Sequence, residues 1–245
     1  MITNAQSGTT IDEIAPQIYR ISTPVPDFTF NQYLIAGEEP LLFHTGLRMT
    51  FPLVRDAIET VIPVSKLRYI GVSHFEADEC GALNELLAVA PDAVPLCGRV
   101  AAMTSIGDYA ARAPRVLADG EKITIGDHVI EWIDAPHLPH NWECGYIFDQ
   151  TTKTLFCGDL FTQGGNGMPA LTSDDVLTMS EETRLGFAAM MPDPYSFGRD
   201  TRKIFDRLIG TAPRTLALMH GSAWSDGTEA GAARMLSGLA DKVSS

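Results

Sequence analysis

Histidine and carboxylate side chains occupy alternate positions in Ser73-His74-Phe75-Glu76-Ala77-Asp78-Glu79-Cys80-Gly81, where a strand-like run enters a turn and then a helix. Imidazole nitrogens and carboxylate oxygens offered from one turn can converge on cations. By itself H-x-E-x-D says little, because acidic residues near a helix N-terminus also serve capping and the helix dipole. The rest of the chain strengthens it. His140 precedes Asp159 with 18 residues between them, Asp159 precedes His220 with 60, and each follows or ends a strand-like run.

The elements that must position these residues read as two blocks. QIYRIST, NQYLIAG and PLLFHTG are β-rich runs separated by Pro, Asp and Gly. FPLVRDAIETVI carries Leu53, Val54, Ala57, Ile58 and Val61 at helical spacing, with Pro63 ending it before the strand-like LRYIGVSH. A helix in GALNELLAVA, a strand in VPLCGR and a mixed segment over 100–115 follow. The second block opens with strands in KITIGDHVIEWIDAP, GYIFDQ and TLFCGD, the last two joined by a turn at Asp149-Gln150-Thr151-Thr152. Beyond Glu181 the pattern predicts helices over 181–191 and 200–210, a strand in TLALMHG and a last helix over 228–243. Two strand blocks, each with helices, fit two facing sheets with helices outside, in a single domain over 1–245.

Composition narrows the partners. The net charge of −13 repels phosphate backbones and anionic lipid surfaces, which argues against nucleic acid and membrane partners. The start, MITNAQSGTTIDEIAP, carries neither a basic nor an apolar leader region, so a cytoplasmic protein is the default expectation. Cys80, Cys97, Cys144 and Cys157 form no C-x-x-C pair and read as buried reduced thiols.

HFEADECG, PHNWECGYIF, TLFCGDLF and LMHGSAW stand in the order of the metal motifs of the metallo-β-lactamase superfamily, which the chain resembles over nearly its whole length. Hydrolases of that superfamily usually show H-x-H-x-D-H, whereas this chain has Glu76 and Glu79 at the second and last histidine positions. In that respect it resembles the diiron core of flavodiiron proteins and the oxygen-binding diiron proteins. The resemblance implies an α/β, four-layer αββα sandwich, with His74, Glu76 and His140 on one iron, Asp78 and His220 on the other, and Asp159 bridging. Glu79 departs from the pattern; a further oxygen ligand, a group that orients a ligand and a simple helix start all remain open. Glu76, Asp78 and Asp159 give the site one carboxylate more than the usual hydrolase set, which favours harder ions, iron or manganese, while leaving zinc compatible.

His44 ends a strand where this superfamily often carries Asp, so it is a candidate partner for a ligand. His128 reads as a surface or packed histidine, and His137 is a rival to His140 if the loop register differs. Phe75, Trp142, Phe161, Tyr195 and Trp224 are candidate pocket walls, and the Gly-rich segment after Asp159 is a candidate lid over the centre. The residues after His220 read as one helix, leaving no room for a flavodoxin domain and its FMN. The expectation is therefore a homodimeric non-haem diiron protein that takes dioxygen or another small diatomic as sensor or carrier. Reductase activity would need an external flavoprotein or rubredoxin-like donor, and a signalling protein could read the bound state. The competing reading is a dinuclear hydrolase of an ester, thioester or phosphodiester, with Glu79 as base.

Overall fold

The computed structural model describes residues 7–188, 190 and 192–244. Its first half runs β1 (Thr10–Ala15), β2 (Ile18–Val25), β3 (Phe28–Ile35), β4 (Leu41–Phe43), α1 (Phe51–Ile58), β5 (Tyr69–Gly71), α2 (Ala77–Cys80), α3 (Leu83–Val89), β6 (Val94–Gly98), α4 (Arg99–Thr104), α5 (Ile106–Tyr109) and β7 (Arg115–Leu117). These strands form a 7-stranded sheet in numerical order. The pairs from β1 to β4 are antiparallel and those from β4 to β7 parallel.

The second half runs β8 (Lys122–Ile125), β9 (His128–Asp134), β10 (Gly145–Asp149), β11 (Thr154–Phe156), β12 (Leu171–Thr172), α6 (Val176–Phe187), α7 (Thr201–Gly210), β13 (Thr215–Ala217), β14 (Ala223–Trp224) and α8 (Glu229–Val243). Its 7-stranded sheet has the order β12-β14-β13-β11-β10-β9-β8. Three apolar layers result from the period-two alternation of side chains along strands. Tyr33, Ile35, Leu41 and Phe43 meet Ile130, Trp132, Ile147 and Phe156 between the sheets. Their alternates Leu34 and Leu42 face outward onto Val54, Ile58 and Leu86, while Tyr146, Phe148 and Leu155 face outward onto Phe205, Leu208 and Leu236. The layers are helix, sheet, sheet, helix, as the metallo-β-lactamase resemblance implied.

Departures from the sequence reading have local causes. The helix expected over 181–191 begins instead at Val176, because Asp175 caps it: its Oδ1 accepts from the backbone N–H of Thr178 at 3.1 Å and its Oδ2 from the Thr178 hydroxyl at 2.7 Å. Ala189 and Met191 of that expected helix lie outside the described residues. α1 stops at Ile58, ahead of Pro63. β1, β7, β12 and β14 went unread; β7 begins where the mixed segment ends, and β12 and β14 are two residues long and carry no period.

α7 and α8 bury Ile204, Phe205, Leu208, Leu236 and Leu239, and each such side chain contributes roughly 1.5–3 kcal/mol. α6 fully buries only Val176 and Ser180, with Leu177 partly buried against the same core. Away from the strand ends that carry the candidate ligands, His128 Nδ1 lies 2.7 Å from Asp149 Oδ2, which also accepts the Thr152 hydroxyl at 2.7 Å and secures the β10–β11 turn.

β9 and β10 approach closely at Gly145, where an added Cβ would come within 2.1 Å of the Trp132 ring. Gly145→Ala should therefore cost roughly 1–3 kcal/mol of stability through overpacking, measured as a lower urea midpoint; an unchanged midpoint would contradict this packing.

Candidate metal centre

Parallel pairing of β4 with β5 and of β11 with β13 puts their carboxyl ends at one edge of each sheet. His44 follows β4, His74 follows β5, Asp159 follows β11 and His220 follows β13; His140 lies in the connection from β9 to β10. Connections leaving carboxyl edges are free to turn side chains into the crevice between them.

The candidate ligands meet there. His74 Nε2 lies 3.1 Å from His140 Nε2, and Glu76 Oε1 lies 3.0 Å from His140 Nε2. Asp159 Oδ2 is 3.3 Å from His74 Nε2 and 3.7 Å from His140 Nε2, whereas its Oδ1 is 3.5 Å from His220 Nε2. His220 Nε2 is also 3.5 Å from Asp78 Oδ2. Asp159 thus turns one oxygen to each half of the cluster.

The imidazoles are anchored from behind. Nδ1 of His140 lies 3.0 Å from the Pro194 carbonyl, Nδ1 of His220 lies 3.0 Å from the Thr29 carbonyl, and Nδ1 of His74 lies 2.9 Å from Ser73 Oγ. Carbonyl oxygens only accept, so His140 and His220 carry a proton on Nδ1 and, when neutral, present the Nε2 lone pair inward. The Nε2 atoms of His74 and His140, only 3.1 Å apart, leave room for one shared proton or cation between them.

Glu79 is fully buried, and neither of its side-chain oxygens has a hydrogen-bond partner; the same holds for Asp159 Oδ1. An unpaired buried carboxylate costs on the order of several kcal/mol, so it must take a proton or a cation. Burial, then Asp159 and Asp78, hold the Glu79 carboxyl well above its ordinary range. Burial alone would depress His74, but the Asp159 and Glu76 carboxylates outweigh it and raise it to about 10. Hydrogen bonds to His140 and His74 bring Glu76 down to about 2 despite its partial burial. The cluster is thus arranged as charged imidazoles against carboxylates, with too many carboxylates for the imidazoles to neutralise. His74, Glu76, His140 and Asp159 offer ligand atoms within 4.8 Å of one another, as do Glu76, Asp78 and Glu79. This set of nitrogen and oxygen donors fits iron, manganese or zinc. Thiols do not join it: Cys80 donates its S–H to the Glu76 carbonyl, and burial pushes the thiol up to about 12.

A chamber of about 290 Å³ opens on the cluster, walled by Phe28, Phe30, Pro139, Phe187 and Tyr195. Phe28 stacks on Phe187 with centroids 5.2 Å apart, and Phe28 and Phe30 each meet the His220 ring at 5.4 Å. Arg184 also lines it, but its guanidinium is paired with Glu181 and Asp193. α6 and the segment after Asp159 both border it: Thr162 lines the chamber, and Gly164 N–H donates to Thr183 Oγ1 of α6 at 2.9 Å, while Gly165 N–H donates to the Asp27 carbonyl and the Gln163 amide to the Ser222 carbonyl.

Of the aromatic residues singled out in the sequence, only Tyr195 lines the chamber. Phe75 packs on Tyr109, Trp142 is 55% exposed, and Phe161 and Trp224 belong to the core. Phe28 and Phe30 were missed, although their alternate positions in F-T-F place both on one strand face. His137 is exposed, which leaves His140 at the cluster. His44 reaches His74 only through Ser73: its Nε2 lies 2.9 Å from Ser73 Oγ, and burial brings its pKa down to about 3.

Residues 28–192 match a family model described as ODP family beta lactamase. A diflavin flavoprotein A homologue from Nostoc sp. is 31% identical over 135 residues, covering 54% of this chain and 23% of the relative. The rubredoxin-oxygen oxidoreductase of Megalodesulfovibrio gigas is 25% identical over 199 residues, covering 79% of this chain and 48% of that protein. Among solved structures, rubredoxin oxygen:oxidoreductase from Desulfovibrio gigas superposes with a TM-score of 0.79 at 18% identity, covering 96% of this chain and 61% of that one. The chain spans about a quarter of the length of the diflavin relatives it matches and about half of the oxidoreductase. No helix among the described residues is long and apolar enough to cross a membrane.

The raised Glu79 carboxyl has a signed consequence for the metal-free protein. A folded-state pKa above the unfolded one lends stability at low pH, which is lost as pH rises. In chelator, Glu79→Gln should therefore raise the melting temperature, by about 2 °C or more at pH 8, and by less at pH 5. A gain that shrinks with rising pH would contradict the buried, unpaired carboxylate.

Proposed function

This chain belongs to the ODP beta-lactamase family, and on that premise we propose that it is a non-haem diiron protein that takes up dioxygen or nitric oxide. His74, Glu76 and His140 would hold one iron and Asp78 and His220 the other, with Asp159 as the carboxylate shared between them. Glu79, buried and without a donor, would offer a further oxygen. When bound, the iron pair would supply electrons to a diatomic ligand.

The observation that carries this reading is the small apolar chamber set directly on the converging donors. Its phenylalanine walls suit small neutral molecules. A hydrolase acting on a phosphodiester or another anionic substrate needs room for it and a free cation to hold it. Arg184, the basic side chain lining the chamber, is already neutralised by Glu181 and Asp193. Tyr195 accepts a hydrogen bond from the Phe161 backbone N–H at 3.2 Å, which holds the phenol in the chamber wall. Nδ1 anchoring keeps the His140 and His220 rings aimed at the centre, so gas uptake requires no rearrangement of these side chains.

Names among the relatives include a rubredoxin-oxygen oxidoreductase and a nitric oxide reductase. By that likeness a rubredoxin-like or flavoprotein donor would deliver electrons here and turn gas binding into gas reduction. Without such a donor the bound state would persist, which suits a sensor or carrier.

Two variants test the centre. Asp159→Ala should lose most of the iron at both positions, while His128→Ala, on the remote pair with Asp149, should keep wild-type metal content as measured by plasma mass spectrometry. In wild type loaded anaerobically with ferrous iron, admitting oxygen should change the optical and Mössbauer spectra, with oxygen consumed in proportion to iron pairs. Stoichiometric zinc, spectral silence with iron and rapid ester hydrolysis would contradict the proposal.

A further inference from the structure

Behind His74 lies a buried chain of side chains that neither His140 nor His220 has. His74 Nδ1 is 2.9 Å from Ser73 Oγ, Ser73 Oγ is 2.9 Å from His44 Nε2, and His44 Nδ1 is 3.0 Å from Met219 Sδ. His44, Ser73, His74 and Met219 are all buried. The order of donors follows from the far end. A thioether sulfur accepts but cannot donate, so the proton between His44 and Met219 sits on His44 Nδ1. A neutral His44 then offers its Nε2 lone pair to the Ser73 hydroxyl proton. Ser73 oxygen is left to accept from His74 Nδ1–H, and the Nε2 lone pair of His74 points at the centre.

The surrounding structure holds His44 in place for this. Its backbone has φ 67°, a left-handed conformation that carries strain in a residue other than glycine. Its N–H donates to the Gly71 carbonyl at 2.8 Å, and its ring stacks on Phe43 with centroids 4.4 Å apart. Gly158, beside Asp159, leaves room for the serine, since a Cβ there would come within 3.0 Å of Ser73 Oγ. Met219 precedes His220, and its own N–H donates to the Gly158 carbonyl at 2.9 Å. The chain therefore starts behind a candidate ligand of one iron and ends one residue from a candidate ligand of the other.

We propose that Ser73, His44 and Met219 are positioning residues: a one-way, uncharged hydrogen-bond relay that fixes the tautomer and ring plane of His74 and ties the two halves of the centre together. Ending on a thioether, the relay orients the imidazole without adding a negative charge to a site already rich in carboxylates. The role of His74 as a ligand rests on the diiron reading; the direction of the relay does not.

Zinc-loaded and metal-free protein labelled with ¹⁵N on histidine provide the test, by long-range ¹H–¹⁵N correlation. Both should show His44 neutral with its proton on Nδ1. Ser73→Ala should weaken binding at the His74 half of the site by roughly 10–100-fold in chelator competition, with a smaller loss at the His220 half, and Ser73→Thr should recover much of the loss. His44→Asp, which ends the relay on a carboxylate, should lower the midpoint potential of the iron-loaded protein. A proton on His44 Nε2, or wild-type affinity at both positions in Ser73→Ala, would overturn the relay. Wild type that binds no metal would overturn the diiron reading instead, and the metal-free spectrum would still decide the direction.

Discussion

Asp159 lies 3.3 Å from His74 through one oxygen and 3.5 Å from His220 through the other, so a single carboxylate must satisfy imidazoles carried by different sheets. His74 follows β5 of the first sheet, while Asp159 and His220 follow β11 and β13 of the second. The cluster therefore exists only when the sheets face each other in register. Ile35, Phe43, Trp132 and Phe156 in the layer between them set that register. Packing and site are coupled: the apolar layer brings the carboxylates together, and cations at the edge would offset the repulsion that results.

The same arrangement packs its parts unequally. His140 and His220 are fixed through backbone carbonyls and His74 through Ser73, all on connections leaving well-packed strands. The wall of the chamber that includes Phe187 and Arg184 belongs to α6, which buries little of its surface. It is joined to the rest of the fold by the Phe28–Phe187 stack, by Gly164 N–H donating to Thr183 Oγ1 at 2.9 Å and by the Arg184–Asp193 ion pair.

Much of this was legible in the chain. His74, Glu76, Asp78, His140, Asp159 and His220 could be read because strand ends and short connections bring residues far apart in sequence to one edge, and the intervals between them are properties of the sequence. Two strand blocks, each accompanied by helices, likewise foretold two facing sheets with outer helices. What escaped depends on tertiary contact. The isolation of Glu79 follows from what surrounds it in space, and no neighbour in sequence announces it. The link from His44 to His74 runs through Ser73, a residue type too common to signal anything. Phe187 reaches the chamber because Asp175 starts its helix early, a capping signal hidden in what read as a polar loop.

Anomalous diffraction at the iron edge, from crystals grown anaerobically with ferrous iron, bears most directly on the bridging role proposed for Asp159. Two iron peaks should flank its carboxylate, about 3.5–4 Å apart, one on the side of His74, Glu76 and His140 and the other on the side of Asp78 and His220. A single peak, or iron that leaves either Asp159 oxygen free, would contradict the account.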